Sequence, residues 1–186
     1  MPKYILYSLL FLLASSSFMG CTKPVDFNQI DDFEVSPVLE ASLIFFDAQA
    51  PDFFVGGAEA ATVEDFVNLD VFQDSFINDN LLRTDIVVKG VNSIQRGYNF
   101  KVDFLNDLGQ SQYSFIVEVE ASPMTNEIPF EHTERIEGVG LEALKRSNKI
   151  VFTLIMLPGI PIDTGTLGRV HLESKAVFYF NYQKER

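Results

Sequence analysis

Apolar and polar residues alternate in two neighbouring stretches near the middle of the chain. In residues 98–104 the even positions are apolar, and in residues 113–121 the odd positions are apolar or aromatic. Alternation of this kind places every second side chain on the same face of a β-strand. Residues 106–110, which lie between the two stretches, are rich in turn-forming side chains. The pattern therefore predicts a β-hairpin.

Other stretches predict further strands, each with its own pattern. Residues 170–181 alternate, which is typical of a strand that buries one face. Residues 150–157 are apolar at odd and even positions alike, which predicts a central strand covered on both sides. Shorter or weaker alternating runs occur at residues 39–45, 67–71, 86–88 and 130–136.

One short segment predicts a helix. Residues 141–146 are good helix formers, with Leu141 and Leu144 on one face. We expect a short helical crossover near 140–147, directly before the apolar strand. Seven or eight short strands predict an all-β fold, namely an antiparallel β-sandwich that is immunoglobulin-like in the broad sense. A small closed barrel is the alternative.

The start of the chain has the three-part layout of a secretion signal. Lys3 supplies a positive charge, residues 4–13 are almost entirely apolar, and residues 14–20 are mainly small. The apolar run is too short for a transmembrane helix, which needs about 20 residues. Cys21, the only cysteine of the chain, follows directly.

The pair Gly20–Cys21 resembles the lipobox of bacterial lipoproteins, in which a small residue precedes the cysteine that becomes lipidated. Phe18 and Met19 depart from the leucine and the small residue that are usual in that motif. The resemblance implies that Cys21 is the lipid attachment site and carries diacylglycerol and an amide-linked acyl chain such as palmitate. Thr22, where aspartate would direct retention, implies the outer membrane. The alternative is an ordinary cleaved signal with a chance cysteine nearby.

These features predict three parts: a lipoprotein signal peptide at residues 1–20, a tether at 21–32 and a single β-sandwich domain at 33–186. At about 3.3 Å per residue, the extended tether keeps the domain within about 35 Å of the membrane. In its Phe-rich, acidic composition behind such a signal, the chain resembles small β-sandwich lipoproteins of the flavobacterial type. We expect it to be held in the cell envelope by its lipid anchor.

Composition narrows the choice of partners. The formal net charge of −12 repels phosphate backbones, so we expect no nucleic-acid partner. Apolar residues make up 47% of the chain and include 18 phenylalanines, enough to fill a core, which separates it from disordered acidic chains. A single cysteine excludes an intramolecular disulfide and a cysteine-rich zinc site.

The two histidines are the main candidates for catalysis or metal binding. His171 precedes Glu173 by two positions on a predicted strand, and His132 lies between Glu131 and Glu134. Zinc needs three or four converging ligands, and nucleophilic catalysis needs an activated hydroxyl or thiol beside an oriented base. The sequence pattern offers neither set. We therefore expect solvated ion pairs at both histidines, and predict no metal, no cofactor and no enzymatic activity.

Two loops, at residues 48–61 and 157–167, carry more bulky apolar side chains than loops usually do. Such loops either fold back over the core or form an exposed patch that docks on a partner or on a membrane. The residues of this possible interaction patch are Phe53, Phe54, Val55, Ile160 and Ile162.

Together these features predict a membrane-anchored envelope lipoprotein that acts as a non-enzymatic interaction or accessory subunit for other envelope proteins. This hypothesis requires Phe53, Phe54 and Ile160 to be exposed or at an interface. The alternative is a ligand-binding module for a glycan, a lipid or a metal, which requires a concave pocket lined by tyrosines and carboxylates.

Overall fold

The computed structural model describes residues 34–183, and most of its regular elements are strands. The strands are β1 (Glu34–Val35), β2 (Val38–Gln49), β3 (Phe54–Val55), β4 (Ala58–Glu59), β5 (Thr62–Asn68), β6 (Leu81–Asn92), β7 (Tyr98–Leu105), β8 (Ser111–Val119), β9 (Ile128–Glu137), β10 (Lys149–Met156), β11 (Arg169–Phe180) and β12 (Tyr182–Gln183). The helices are α1 (Ser75–Asn80) and α2 (Gly138–Leu144), with short 3-10 segments at Ala50–Phe53 and Val71–Gln73.

Eight of these strands form two four-stranded antiparallel sheets, in the orders β2-β11-β6-β9 and β5-β10-β7-β8. Of the eight, only β7 and β8 are consecutive within one sheet, because every other connection crosses to the opposite sheet. This strand order is that of a jelly roll, a two-sheet sandwich built from two Greek keys. The predicted all-β antiparallel sandwich is therefore confirmed, and its likeness to immunoglobulin domains is limited to that broad architecture.

The predicted hairpin is confirmed as β7 and β8, which pair from Tyr98–Val119 to Leu105–Ser111. Asn106 organises the turn, because its side-chain oxygen accepts hydrogen bonds from the backbone N–H groups of Leu108 and Gln110 at 3.0 and 2.9 Å. Inward-facing side chains of both sheets form one hydrophobic core. Within it the rings of Phe100 and Phe152 stack with centroids 5.8 Å apart, and burial of such apolar area drives folding.

The alternation predicted at residues 39–45 is interrupted in β2. Ser174 pairs with Ile44 and Lys175 with Ser42, so Leu43 is an extra, bulged residue. A bulge shifts the register by one residue and moves the following side chains to the other face. Phe45 therefore lies on the outer face of the sheet, where it is 68% exposed.

Two other expectations need correction. β10 does lie between β5 and β7, but its second face is incompletely covered, because Thr153 and Ile155 are only half-buried. The run at 67–71 is not one strand, since β5 ends at Asn68 and a 3-10 segment follows.

The predicted helical crossover is present as α2, slightly earlier than expected, and it leads into β10. Helix α1 was not predicted, since asparagine and aspartate dominate it and these residues favour caps and turns. Asp74 caps its start by accepting a hydrogen bond from the Ile77 N–H at 3.2 Å. Neither helix within residues 34–183 is long and apolar enough to cross a membrane.

The strands run between two opposite ends of the sandwich. We call one the tether end, because residue 34 lies there; its connections are residues 69–80, 106–110 and 138–148. We call the other the loop end; its connections are residues 50–61, 93–97, 120–127 and 157–168. The 12 residues of β2 lead from the tether end to the loop end, a length of about 40 Å at about 3.3 Å per residue.

Candidate interaction surface at the loop end

Backbone hydrogen bonds fold residues 50–61 into a closed loop. β3 and β4 pair around Gly56 and Gly57, whose φ angles are +64° and +88°. Positive φ at both central positions suits a tight hairpin turn, and glycine adopts it without a steric penalty. The Ala60 N–H donates to the Phe53 carbonyl at 2.7 Å, which holds the base of this hairpin against the preceding 3-10 turn.

The second apolar loop, residues 157–168, is joined to the first by backbone contacts at Gly168. The Gly168 carbonyl accepts a hydrogen bond from the Ala50 N–H at 2.9 Å. Its φ of +109° is one that other residues rarely adopt, and a Cβ there would collide with the carbonyl oxygen of Ser93. Glycine is therefore required where the loop turns back into β11.

A buried arginine fastens both loops. Arg96 is 7% exposed, and its Nη1 and Nη2 each lie 3.3 Å from a carboxylate oxygen of Glu59. Arg96 also donates to the carbonyls of Leu157 and Ile160. Glu59 in turn accepts a hydrogen bond from the Ile162 N–H at 2.5 Å. We call this network the Arg96–Glu59 clamp; a buried guanidinium is tolerated when its donors are paired in this way.

Because the clamp and the turns fix both loops, some of the five predicted patch residues are buried and the others stay at the surface. Phe53 and Ile162 are each only 2% exposed, so their assignment to an exposed patch is wrong. The Phe53 ring packs 5.4 Å from the ring of Tyr98 and 6.4 Å from that of Phe46, measured between centroids. Because the loops fold back over the sandwich, these two side chains complete the core.

The other patch residues remain at the surface. Val55 is 66% exposed, Ile160 is 60% exposed and Phe54 is half-buried. Leu167, which the sequence interpretation did not single out, is 74% exposed. Beside Ile160 and Leu167 lies a hollow of 330 Å³. Its lining also includes Ile94, Arg96, Thr125 and Asp163.

Sequence reasoning missed the clamp as well as Leu167. Arg96 and Glu59 are separated by 37 positions, and neither belongs to a recognisable motif. The local sequence around a single arginine in a short connection does not indicate which distant residue it pairs with. Leu167, by contrast, lies in a loop already noted as apolar, so counting every bulky residue there would have included it.

His171 lies on the outer face of the first sheet and shares that face with Glu173, as predicted. Its nearest carboxylate, however, is Asp47, with Nδ1 and Oδ2 3.5 Å apart. Asp47 also contacts Arg169 at 3.6 Å, and Glu173 pairs with Lys89 at 2.8 Å. The hydrogen bond from Lys89 lowers the pKa of Glu173. His171 thus lies among cross-strand ion pairs of the sheet surface, but its own Nδ1 is buried and has no hydrogen-bond partner among the described residues.

His132 differs from the expectation of a solvated ion pair. It lies on the inward face of β9, where its Nε2 is 3.1 Å from Glu134 Oε2 and its ring stacks on Phe115 at 5.6 Å. The Tyr113 hydroxyl donates to the other oxygen of Glu134. Burial, together with this hydrogen bond, raises the pKa of Tyr113 to about 12. The cluster closes the gap between the edge strands β8 and β9.

Each histidine therefore has a carboxylate neighbour, which is the minimum for an acid–base pair. In both places the carboxylate already has a second partner, Arg169 for Asp47 and Tyr113 for Glu134. Within residues 34–183, no group of three or more His, Cys, Asp or Glu side chains is placed to hold a metal ion. Cys21, the predicted lipid attachment site, lies outside the described residues.

No protein-family model matches the chain, and no curated protein matches it. Solved structures do resemble it. VP2 of infectious bursal disease virus, in a subviral particle, is 12% identical with a TM-score of 0.49, covering 77% of this chain and 32% of that one. The chain thus spans about a third of the length of that viral protein.

Two further structures are more distant. A protein of mud crab tombus-like virus is 10% identical with a TM-score of 0.33, covering 83% of this chain and 82% of that one. A protein of Bacillus endospore appendages, which form disulfide-linked pili, is 10% identical with a TM-score of 0.29, covering 77% and 89% of the two chains. At such identities the likeness concerns the fold, and function does not transfer.

Proposed function

We propose that this chain is a lipoprotein of the cell envelope, anchored through Cys21 in the outer membrane, and that it acts as a non-enzymatic interaction subunit. The observation that supports this proposal is that the start of the described chain and the exposed apolar loops lie at opposite ends of the sandwich. Residue 34, which continues from the predicted tether, lies at one end, and the exposed apolar loops lie at the other end. An anchored domain of this shape presents its loops away from the anchor, toward other envelope proteins.

The loop end suits a protein partner because its apolar side chains are held in place before binding. The Arg96–Glu59 clamp fixes the backbone of the loop that carries Ile160 and, farther along, Leu167. A preformed site loses less conformational entropy on binding. The adjoining hollow of 330 Å³ has an apolar rim beside polar groups, an arrangement that fits one anchoring side chain of a partner.

Membrane anchoring has a direct test. Replacing the acylated residue, Cys21→Ser, is expected to move the protein from the membrane fraction to the soluble fraction, because three acyl chains at about 0.8 kcal/mol per buried CH₂ make the anchor effectively permanent. Mass spectrometry of the natural protein should then find the acyl groups on Cys21. Unchanged membrane retention of the serine variant would count against the anchor.

Partner binding is tested with a photo-crosslinking amino acid, benzoylphenylalanine, placed at Ile160 or Leu167 in living cells. We expect the same crosslinked protein from both positions. Ile116, which is 50% exposed on the outer face of β8, is the matched control and should give no such product. Adding Val55→Asp should reduce the crosslink. Equal yields from all three positions, or no product at either loop position, would contradict a partner at the loop end.

A second candidate is glycan binding on the outer face of the β2-β11-β6-β9 sheet. Two hollows of 410 and 480 Å³ adjoin there and share Lys89 and Glu173, although neither is lined by the tyrosines that this alternative was expected to need. The exposed ring of Phe45 lines the first hollow and lies 5.0 Å from the ring of His171, which lines the second. Calorimetric titration with soluble envelope glycan fragments tests this candidate. Binding that is lost in Phe45→Ala would support it, and absence of heat would exclude it for those fragments.

A further inference from the structure

The tether end carries its own set of exposed apolar side chains, distinct from those of the loop end. Leu108 is 79% exposed and Val139 is 90% exposed, and four other residues at this end are each more than 40% exposed. Those four are Val38, Leu39, Phe76 and Leu82. The six residues lie at the same end of the sandwich as residue 34, from which the chain continues toward the predicted anchor.

These side chains come from separate elements. Leu108 lies at the tip of the β7–β8 turn, Val139 lies in the first turn of α2, and Leu82 lies near the start of β6. The cavities of 410, 330, 480 and 190 Å³ lie elsewhere in the sandwich, and none of them is lined by any of the six residues. A partner protein would be expected to need a continuous, complementary patch. Exposed side chains on separate elements, such as Leu108 and Val139, fit a deformable surface that accepts each side chain separately.

We propose that the tether end is a membrane-contact surface, and that Leu108 and Val139 insert into the headgroup region of the lipid bilayer to which the chain is anchored. The proposal rests on the membrane anchoring proposed above. A tether of about a dozen residues, at about 3.3 Å per residue, keeps this end close enough to touch the bilayer. Once the chain is anchored, contact by a few apolar side chains is favoured by their proximity to the membrane.

The charge of the tether end indicates which lipids it prefers. The connections at this end carry five exposed carboxylates and only two cations, namely Asp70, Asp74, Asp79, Asp107 and Glu142 against Lys145 and Arg146. Carboxylates near a surface are repelled by anionic headgroups within a Debye length. Contact should therefore be stronger with zwitterionic phosphatidylcholine than with vesicles rich in phosphatidylglycerol, and added salt should reduce this difference.

The absence of tryptophan from the natural sequence permits a clean test. Single tryptophans are introduced as Leu108→Trp, Val139→Trp and, as the control at the loop end, Leu167→Trp. All three sites are at least 74% exposed, so the fold should tolerate the larger ring. The mature chain, residues 21–186, is coupled through its only thiol, Cys21, to a maleimide phospholipid in phosphatidylcholine vesicles.

We expect the tryptophans at 108 and 139 to emit at shorter wavelength on the vesicles and to lose most of their intensity when brominated phospholipid is included. The tryptophan at 167 should keep the emission of a ring in water. Aqueous emission at all three sites would overturn the proposal, as would quenching at 167. Chemical coupling replaces natural acylation here, so failure of this contact is distinguishable from failure of the anchor, which mass spectrometry of natural Cys21 reports.

Discussion

The loop end and the tether end both expose apolar side chains, but they differ in what lies beneath those side chains. At the loop end, Phe53 and Ile162 are buried beneath exposed Val55 and Ile160, and the Arg96–Glu59 clamp joins the two loops. At the tether end, residues such as Leu108 stand on separate turns, and Asn106 organises that particular turn with local hydrogen bonds.

This difference shows why apolar content alone does not identify a binding loop. A loop can contain bulky apolar residues for two reasons. Either the loop folds back and its side chains complete the core, or its side chains project into solvent from an otherwise polar turn. A buried polar network that holds the loop against the core, such as the Arg96–Glu59 clamp, identifies the first case. Stability should therefore be sensitive to substitution of the buried loop-end residues and insensitive to substitution of the exposed side chains at either end.

The largest expected effect is at Phe53. Phe53→Ala removes a buried ring and leaves a cavity, so it should lower the free energy of unfolding by about 3–5 kcal/mol. The neighbouring surface change Val55→Ala should stay within about 0.5 kcal/mol. Urea denaturation of both variants measures the difference. Similar small losses for the two would mean that the loop does not complete the core.

The second-largest loss in the free energy of unfolding is expected at the Arg96–Glu59 clamp. Arg96→Met leaves two backbone carbonyls without their donor and Glu59 with the Ile162 N–H alone, and because Glu59 is partly exposed the cost should reach at most about 3 kcal/mol. Arg169→Met is the control, because Arg169 pairs with Glu127 on an exposed surface, where such pairs contribute about 0–1 kcal/mol. Faster amide hydrogen exchange at Ile162 in the first variant alone would locate the effect in the loop.

A smaller effect, dependent on pH, is expected at Tyr98. Its side chain is fully buried, its hydroxyl has no hydrogen-bond partner among the described residues, and burial raises its pKa. The raised pKa stabilises the fold below about pH 10, the ordinary tyrosine value, and this contribution is lost as the pH rises toward the folded-state pKa.

Tyr98→Phe should therefore be neutral or stabilising by up to about 1 kcal/mol at neutral pH, since it removes a buried hydroxyl that has no hydrogen-bond partner among the described residues. The variant should also lose part of the alkaline destabilisation that the natural protein shows above about pH 10. Thermal melting at neutral and alkaline pH measures both quantities. Parallel alkaline losses in the two proteins would show that another group is responsible.

The smallest effects on stability are expected at the surface tips of both ends. Ile160→Asp and Leu108→Asp should each change the free energy of unfolding by less than about 0.5 kcal/mol. The two variants should differ in binding. Ile160→Asp should abolish the crosslink to the partner, and Leu108→Asp should weaken contact with vesicles. If either variant impaired both activities, the division of roles between the two ends would be wrong.

Much of the sandwich could be predicted from local pattern. β7, β8 and β11 each bury one face, so their apolar residues recur with period two, and Asn106 and Gly109 mark the intervening turn. The bulge at Leu43 could not be predicted, because Leu39, Ala41, Leu43 and Phe45 keep the period even though the backbone does not.

The candidate surface was predicted only in part. The apolar loops were identified from composition, and Ile160 is exposed as that hypothesis required, but Phe53 is buried and Phe54 is only half-exposed. Burial of Phe53 depends on Tyr98, and the fold of the loop depends on Arg96, contacts between residues far apart in sequence. The surface at the tether end could not be predicted, because its exposed apolar residues come from distant stretches of the sequence and are brought to one end only by the topology of the two sheets.

The central claim is that the two ends face opposite ways, and the distance of each end from the bilayer tests it most directly. Fluorescent labels at Ile160→Cys or Leu108→Cys, in the acylated protein, report this distance by energy transfer to acceptors in the lipid headgroups. We predict that the label at 160 lies about 40 Å farther from the bilayer than the label at 108, because the 12 residues of β2 separate the ends at about 3.3 Å each. Equal distances, or a loop end nearer to the lipid, would contradict the claim.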